Sequence, residues 1–414
     1  MRGAALLKSD ADCVIVGGGI GGAVLALALG RAGRHALILE RGVAPASHAR
    51  PEILAGATLE TFRRLGIGER IAREACQPLA GLEVFESGGR TTLFRVTRDD
   101  LQHVQANPQS TDPAATRRMI LEAASRTGRV TSEQVEVQGL LSEGGRVSGV
   151  QALKQGAPVE YRAPLTVADD GTHSTLRTAM GATVQLRAFP FDFLGAVVPR
   201  LPEQASDEAN AWINVRGMRR GLFAGLFLPI PGHRTALVFG LSPAAWERFQ
   251  AAPDTFAAAA IRLAPPGTDP TRLPNFPEGY GHFRRPFGHA SRYVGDGIAL
   301  IGDAAHPVTP AGGQGANMSV ADAMVLAEVA VEALRSGDCS AQQLGRYEAV
   351  RRPANARSLQ FSERPSTVFR LLQAAPFLAP LLLSFIRSAN RRPDVKQRFI
   401  GGVARAFVSG YNER

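Results

Sequence analysis

Apolar positions along the chain change period in a set order, and that order predicts a layered α/β architecture. Asp12–Val16 (DCVIV) is a short apolar run that reads as a buried strand and leads straight into GGGIGG. From Ala23 to Ala32 apolar residues continue as a helix, Gly33 stops it, and His35–Leu39 reads as a second strand closed by Glu40. Strand, helix and strand make one βαβ unit. Farther on, Leu165–Ala168 predicts a strand, followed by Asp169, Asp170 and Gly171, with Ser174 opening a helix that carries Arg177. Ile298–Ile301 predicts another buried strand, with Asp303 just past its end. Pro307 and Pro310 then forbid helix, Gly312, Gly313 and Gly315 follow, and Met318, Val320, Ala321, Met324, Val325, Ala327 and Ala330 continue at helical spacing.

Between these segments, from about Val184 to Tyr293, the pattern is one of strands with turn punctuation, as in GLFAGLFLPIPG and TALVFGL. A chain of 414 residues should hold two domains, the first discontinuous. Residues 10–183 and 291–360 are expected to form an α/β, Rossmann-type domain, residues 184–290 a mixed-sheet substrate domain, and residues 361–414 a C-terminal helical segment. Leu371–Ile386 is apolar and ringed by Arg364, Arg370, Arg387, Arg391 and Arg392. It is shorter than the roughly 18–20 residues of a spanning helix, and Pro376 and Pro380 interrupt it. Two readings remain: helices that turn an apolar face inward, or a surface that makes peripheral contact with a membrane or lipid-like substrate.

Charge and cysteine usage narrow the field. The net charge is +10, yet the arginines are scattered and no basic stripe alternates with aromatics, so nucleic acid is not an expected partner. Cys13, Cys76 and Cys339 are few and far apart, which suggests neither a disulfide framework nor a metal site. The MRGAALLKSDAD start has no long apolar region, and a cytoplasmic protein is expected.

The glycines carry the first chemistry. Gly17, Gly19 and Gly22 fall at G-x-G-x-x-G spacing between a strand and a helix, which suits a tight turn, close approach to a pyrophosphate and helix–strand packing. Glu40 stands where an acid hydrogen-bonds an adenosine ribose, and it argues against a ribose phosphate there. Asp303 can accept hydrogen bonds from polyol hydroxyls. The helix opening at Gly313, Gly315, Ala316 and Asn317 would present its positive end to a flat ligand, suited to negative charge on the pyrimidine edge of a reduced flavin.

GGGIGG, DDGTHSTLR and GDAAHPVTPAGGQGANMSVADA, in this order, resemble the three signatures of the single-component FAD-dependent aromatic hydroxylases, the family typified by p-hydroxybenzoate hydroxylase. The resemblance spans roughly Asp12 to the Arg357 region, and the last motif is the most specific. It implies FAD as cofactor and NADH or NADPH as co-substrate, with Asp170 and Gly171 serving both nucleotides and Asp303 holding the ribityl chain. Arg50 falls where the family keeps an arginine on the FAD phosphates. For a further helix-start position, TDPAATRRMILEAA offers Arg117 or Arg118, while strict alignment offers Pro113; Arg117 is favoured.

The implied activity is monooxygenation. NAD(P)H reduces FAD, dioxygen adds to give a flavin hydroperoxide, and one oxygen atom reaches an electron-rich ring or alkene. The flavin carries that chemistry, so no catalytic side chain is assigned, and His173 and His306 are read as residues that shape their turns. Phe is frequent and Tyr and Trp scarce, which points to a small hydrophobic aromatic or prenylated-ring substrate, such as a quinone, quinolone or polyketide of secondary metabolism. Trp212 and Trp246 lie too far apart for a halogenase motif. A reductase of isoprenoid double bonds is the enzymatic alternative, and a non-catalytic FAD-binding protein of the membrane surface is the other.

Overall fold

The computed structural model describes residues 11–42, 52–87, 91–104, 107–202, 204, 206–218, 221–310 and 313–408. Its first layer is a six-stranded sheet in the order Val294–Gly295, Ile298–Leu300, Leu165–Ala168, Cys13–Val16, Ala36–Glu40, Val130–Gln134. The strands run parallel except the outermost Val294–Gly295, and Cys13 is in register with both Ala36 and Leu165. Cys13–Val16 and Leu165–Ala168 are buried throughout, which accounts for their unbroken apolar sequence. The helix Ile20–Arg31 lies under this sheet and packs on Pro113–Ser125 and Gly315–Ser336. It begins three residues before the expected Ala23, so Gly21 and Gly22 belong to its first turn.

The second layer is a mixed seven-stranded sheet, ordered Gly281–Phe283, Asp192–Pro199, Arg234–Leu241, Leu222–Ile230, Glu208–Ile213, Gly81–Glu86, Thr92–Val96. Two strands from the 10–183 segment join this sheet. Gly81–Glu86 and Thr92–Val96 leave the first segment and extend this sheet, Gly81–Glu86 pairing in parallel with Glu208–Ile213. Phe85 stacks on Trp212 at 4.4 Å, a contact between residues too far apart in sequence for periodicity to reveal.

A helix runs across residue 361. Ala341–Ala374 is one helix that contains Pro353 and Pro365, and Ser340 caps it by accepting from the Gln343 amide. Arg351, Ala354, Asn355, Ser358 and Ser362 are all buried along it, so packing outweighs the hydrogen bonds that the prolines remove. The chain then breaks at Ala375, and Ala379–Asn390 and Pro393–Val408 complete the C-terminal helices. Among the described residues no single helix is long and apolar enough to cross a membrane.

Candidate dinucleotide and active site

The glycine turn is built around two carboxylates. Gly17 has φ +97°, and a Cβ there would stand 2.2 Å from the Asp169 carbonyl oxygen. A Cβ at Gly22 would stand 2.4 Å from the Gly17 carbonyl oxygen, so both ends of the turn require glycine. At Gly19 the space a side chain would need holds Asp169 Oδ2, 2.7 Å from an ideal Cβ. The middle glycine therefore makes room for a residue of this chain, a reason that the fingerprint alone does not supply. On the other side Glu40 Oε2 accepts from the Gly18 amide at 2.7 Å.

Arg117 reaches this turn, and Arg118 does not. Arg117 Nη2 donates to Glu40 Oε2 at 3.2 Å and its Nε donates to the Gly18 carbonyl. Arg118 pairs with Glu122 on its own helix and is mostly exposed. Pro113 is the first residue of that helix, behind the capping Asp112. Arg50 and Gly312 lie outside the described residues.

Asp170 turns inward. Its Oδ2 accepts from the Leu176 amide at 3.1 Å, and burial raises its carboxyl above the usual range against that and neighbouring hydrogen bonds. Gly171 has φ +85° with open space around it, so its backbone conformation demands glycine. Arg177, which the sequence placed on a helix without a role, is buried. Its Nη1 donates to the Ala304 carbonyl at 2.9 Å and its Nη2 to the Thr172 carbonyl at 3.0 Å, tying the second motif to the third.

Asp303 follows the Ile298–Leu300 strand in a single 3₁₀ turn, Gly302–Ala304. Its Oδ2 accepts from Thr172 Oγ1 and from Arg285 Nη1, both at 3.1 Å. Beneath it lies a sealed ionic cluster that sequence reasoning missed. Asp322 Oδ1 accepts from Arg351 Nε at 2.7 Å and Asn355 Nδ2 at 3.0 Å, while its Oδ2 meets His306 Nε2 and the Gly302 amide. Burial alone would raise the Asp322 carboxyl, but His306 and Arg351 outweigh it and hold the group well below the usual carboxylate range. A lone aspartate on an otherwise apolar helical face was the available signal.

The helix Gly315–Ser336 makes its first intrahelical bond from the Met318 amide to the Gln314 carbonyl, so the amides of Gly315 and Ala316 precede the ladder. Gly313 has φ +62°. The Asn317 side chain is committed elsewhere: its Oδ1 accepts from the Ala55 amide and Thr58 Oγ1, and its Nδ2 donates to the carbonyls of Ile53 and Gly313. What Asn317 offers a ligand is its place in the first turn. A Cβ on Gly21 would touch Ser319 Cβ at 3.2 Å, so the first and third motifs meet directly.

An aromatic cluster joins the seven-stranded sheet, through Phe193 and Phe223, to the long C-terminal helix, through Phe369. Phe189, Phe191, Phe193, Phe223, Phe287 and Phe369 pack together, with Phe191 4.8 Å from both Phe223 and Phe369. The Gly288 amide, one residue from Phe287, donates to the Pro307 carbonyl at 3.0 Å, which joins the cluster to the GDAAHP turn.

These features fit an extended dinucleotide: a glycine turn at the N-terminus of the Ile20–Arg31 helix, the Asp303 carboxylate on the Gly302–Ala304 turn, and a second helix N-terminus at Gly315. The comparisons agree. A family model described as an FAD binding domain matches residues 10–362. The ubiquinone hydroxylase UbiL of Rhodospirillum rubrum is 30% identical over 375 residues, covering 85% of this chain and 80% of that protein. The 6-methylpretetramide 4-monooxygenase of Streptomyces rimosus is 29% identical over 359 residues, covering 84% and 81%. The structure of Klebsiella pneumoniae HpxO complexed with FAD and uric acid has the same fold, with a TM-score of 0.78 at 21% identity over 98% of this chain and 99% of that one. The protein is an FAD-dependent oxidoreductase, and the chain belongs to the FAD-binding-domain family of aromatic hydroxylases and monooxygenases.

Proposed function

We propose that the protein uses NADH or NADPH and dioxygen to hydroxylate or epoxidise a hydrophobic aromatic or prenylated ring. The observation that carries this reading is the continuity of the phenylalanine cluster, which runs from the Pro307 turn through the seven-stranded sheet to Phe369 and Leu372 on the long C-terminal helix. The names of the two relatives, a polyketide-type monooxygenase and a quinone hydroxylase, lend support.

FAD supplies the redox chemistry when bound, taking hydride from the nicotinamide and activating dioxygen. The chain's own residues bind, orient and exclude water. Glu40 would face the ribose, with Arg117 fixing its carboxylate; a phosphate contact for Arg50 rests on the family resemblance alone. Asp303 accepts from the ribityl hydroxyls, and Asp170 holds the Gly171 turn shared with the nicotinamide nucleotide. The leading amides at Gly315, Ala316 and Asn317, with Gly313 before them, stabilise negative charge on the reduced pyrimidine edge. The buried phenylalanines would help to exclude water from the site.

The outer side of the C-terminal helices supports a lipid-soluble substrate. Phe369, Leu372 and Ala379 pack inward on the aromatic cluster, while Phe377 is 75%, Leu381 67% and Phe385 67% exposed. Both sequence readings of this segment thus have residues to support them. Those exposed apolar side chains, with the exposed Arg370, Arg391, Arg392 and Arg398 in the same C-terminal segment, suit an anionic bilayer.

The test is a screen of aromatic and prenylated compounds for those that accelerate NAD(P)H oxidation, followed by product mass. A gain of one oxygen atom supports the proposal; a gain of two hydrogens without oxygen consumption identifies a reductase instead.

A further inference from the structure

We propose that Asp169 is itself a cofactor-binding residue, one that takes up a proton as FAD binds and donates it in a hydrogen bond to the pyrophosphate. The proposal rests on the reading of the glycine turn as the pyrophosphate site.

The geometry is specific. Asp169 Oδ2 accepts from the Gly22 amide at 2.8 Å, inside the first turn of the Ile20–Arg31 helix. The same oxygen is 2.7 Å from an ideal Cβ on Gly19, and Oδ1 is 2.7 Å from one on Gly302 and 3.4 Å from one on Gly21. Gly19 and Gly302, on two elements, therefore leave room for one carboxyl group. It sits at the helix N-terminus to which a diphosphate is drawn.

Two negative charges cannot share that place cheaply. The charged groups facing Asp169 make matters worse. Asp170 follows it, Asp303 stands on the Gly302 turn and Glu40 closes the second strand. The nearby cations are already engaged, Arg117 with Glu40 and Arg285 with Asp303. Ser319 is the neighbour from the third motif, and on its helix Asp322 is held by His306 and Arg351. Enclosure raises the Asp169 carboxyl well above the usual range; the Gly22 amide opposes this, and Asp303, Asp170 and Glu40 reinforce it.

Protonation resolves the conflict. One proton from solvent neutralises the carboxyl; one oxygen still accepts from the Gly22 amide, and the other becomes an O–H donor to a phosphate oxygen. No covalent bond changes. Because an arriving diphosphate raises the carboxyl further, the complex holds more protons than the free protein, and FAD affinity must fall as pH rises.

The experiment is FAD binding to the apoprotein, read by flavin fluorescence from pH 5.5 to 9, with proton uptake measured by calorimetry in buffers of different ionisation enthalpy. For the parent protein we expect affinity to fall with rising pH by up to about tenfold per unit within the coupled window, with uptake of up to one proton. Asp169→Asn, whose amide oxygen accepts from Gly22 while its NH₂ donates, should bind FAD with no such slope and more tightly than the parent at the alkaline end. His173→Gln, a control for the exposed histidine in the same loop, should keep the slope. A parent profile that is flat, with no proton uptake, overturns the proposal while leaving the FAD site intact. The same slope in Asp169→Asn overturns it too. No FAD binding by the parent at any pH would bring down the reading of the glycine turn, and the proposal with it.

Discussion

Arg351 Nε lies 2.7 Å from Asp322 Oδ1, with Arg351 1% and Asp322 0% exposed. A pair so enclosed costs desolvation on both sides, and the cluster compensates by giving both Asp322 oxygens two partners each, from Arg351, Asn355, His306 and the Gly302 amide. Removing one member strands the other. Asp322→Ala should destabilise the protein by about 3–5 kcal/mol in urea unfolding, because it leaves Arg351 charged and uncompensated in the interior. It should also weaken FAD binding, since the amide of Gly302, next to Asp303, loses its acceptor. An apolar pair such as Asp322→Leu with Arg351→Met should cost less than the single change. A single change costing under about 1 kcal/mol would show that the cluster is open to water.

Acid sensitivity should arise near the same cluster. Burial, with His306 and Arg352, pushes His289 down to about 4, and its Nε2 lies 2.7 Å from Tyr293 Oη. The folded state then holds fewer protons on this residue than the unfolded chain between about pH 6.5 and 4. Stability from neutral His289 is complete above that window and is lost as pH falls through it. The loss should be about 1–2 kcal/mol, with solvent screening of a partly buried ring included. Urea midpoints of the apoprotein at several pH values measure this, and His289→Gln should flatten the profile there. Asp322, whose pKa is depressed, adds a second loss only at lower pH.

Arg117 and Arg118 offer a paired comparison. Arg117→Ala removes the donor that fixes Glu40 and spans to the Gly18 carbonyl, so FAD affinity should drop by about 1–3 kcal/mol. Arg118→Ala should change it by less than about 0.5 kcal/mol, since its exposed pair with Glu122 is worth little. Equal effects from the two variants would separate Glu40 from cofactor binding.

What could be read in advance divides by the range of the interaction. Gly17 and Gly171 announce themselves because positive φ excludes other residues locally, and Cys13–Val16 and Leu165–Ala168 because a strand buried on both faces has to be apolar. The transfer of Gly81–Glu86 to the second sheet depends on Glu208–Ile213, more than a hundred residues away, and leaves no local trace. The Ala341–Ala374 helix runs through Pro353 and Pro365 because of buried partners from other segments, so a local breaker signal misleads there. Asp169 and Asp322 were visible as acids beside motifs; their partners, Gly22 and Arg351, come from tertiary packing.

The exposed C-terminal face makes a prediction about lipid. The protein should float with phosphatidylglycerol vesicles and less with phosphatidylcholine vesicles, and added salt should weaken the association, because each arginine near an anionic surface contributes about 1 kcal/mol. Replacing Phe377, Leu381 and Phe385 together by Ser should abolish flotation while leaving the urea midpoint nearly unchanged, given their exposure of 67–75%. Oxidation of NAD(P)H with a water-soluble aromatic should survive in that variant. Failure of the parent to bind either vesicle would leave these side chains without a lipid role.

The leading turn of the Gly315–Ser336 helix can be tested without disturbing the chain direction. Gly313 has φ +62°, so any side chain there strains the backbone and mixes two effects. Gly315 is the cleaner site: it carries no positive φ, and a Cβ would meet Val308 Cγ1 at 3.4 Å, an ordinary contact. Gly315→Val adds bulk to the first turn while keeping the helix. If the amides of Gly315, Ala316 and Asn317 stabilise the reduced flavin as an anion, pushing the ring away should lower the flavin reduction potential. More of the NAD(P)H consumed should then end as hydrogen peroxide, as less of the oxygen reaches product. The variant must retain FAD, and its absorbance spectrum checks this before the potential is measured. Gly315→Ala, with a smaller group, should fall between parent and Val. A Gly315→Val protein that holds FAD at the parent potential, with parent coupling of reductant to product, would mean that this helix end does not face the pyrimidine edge, and the source of anion stabilisation would have to be sought on another element.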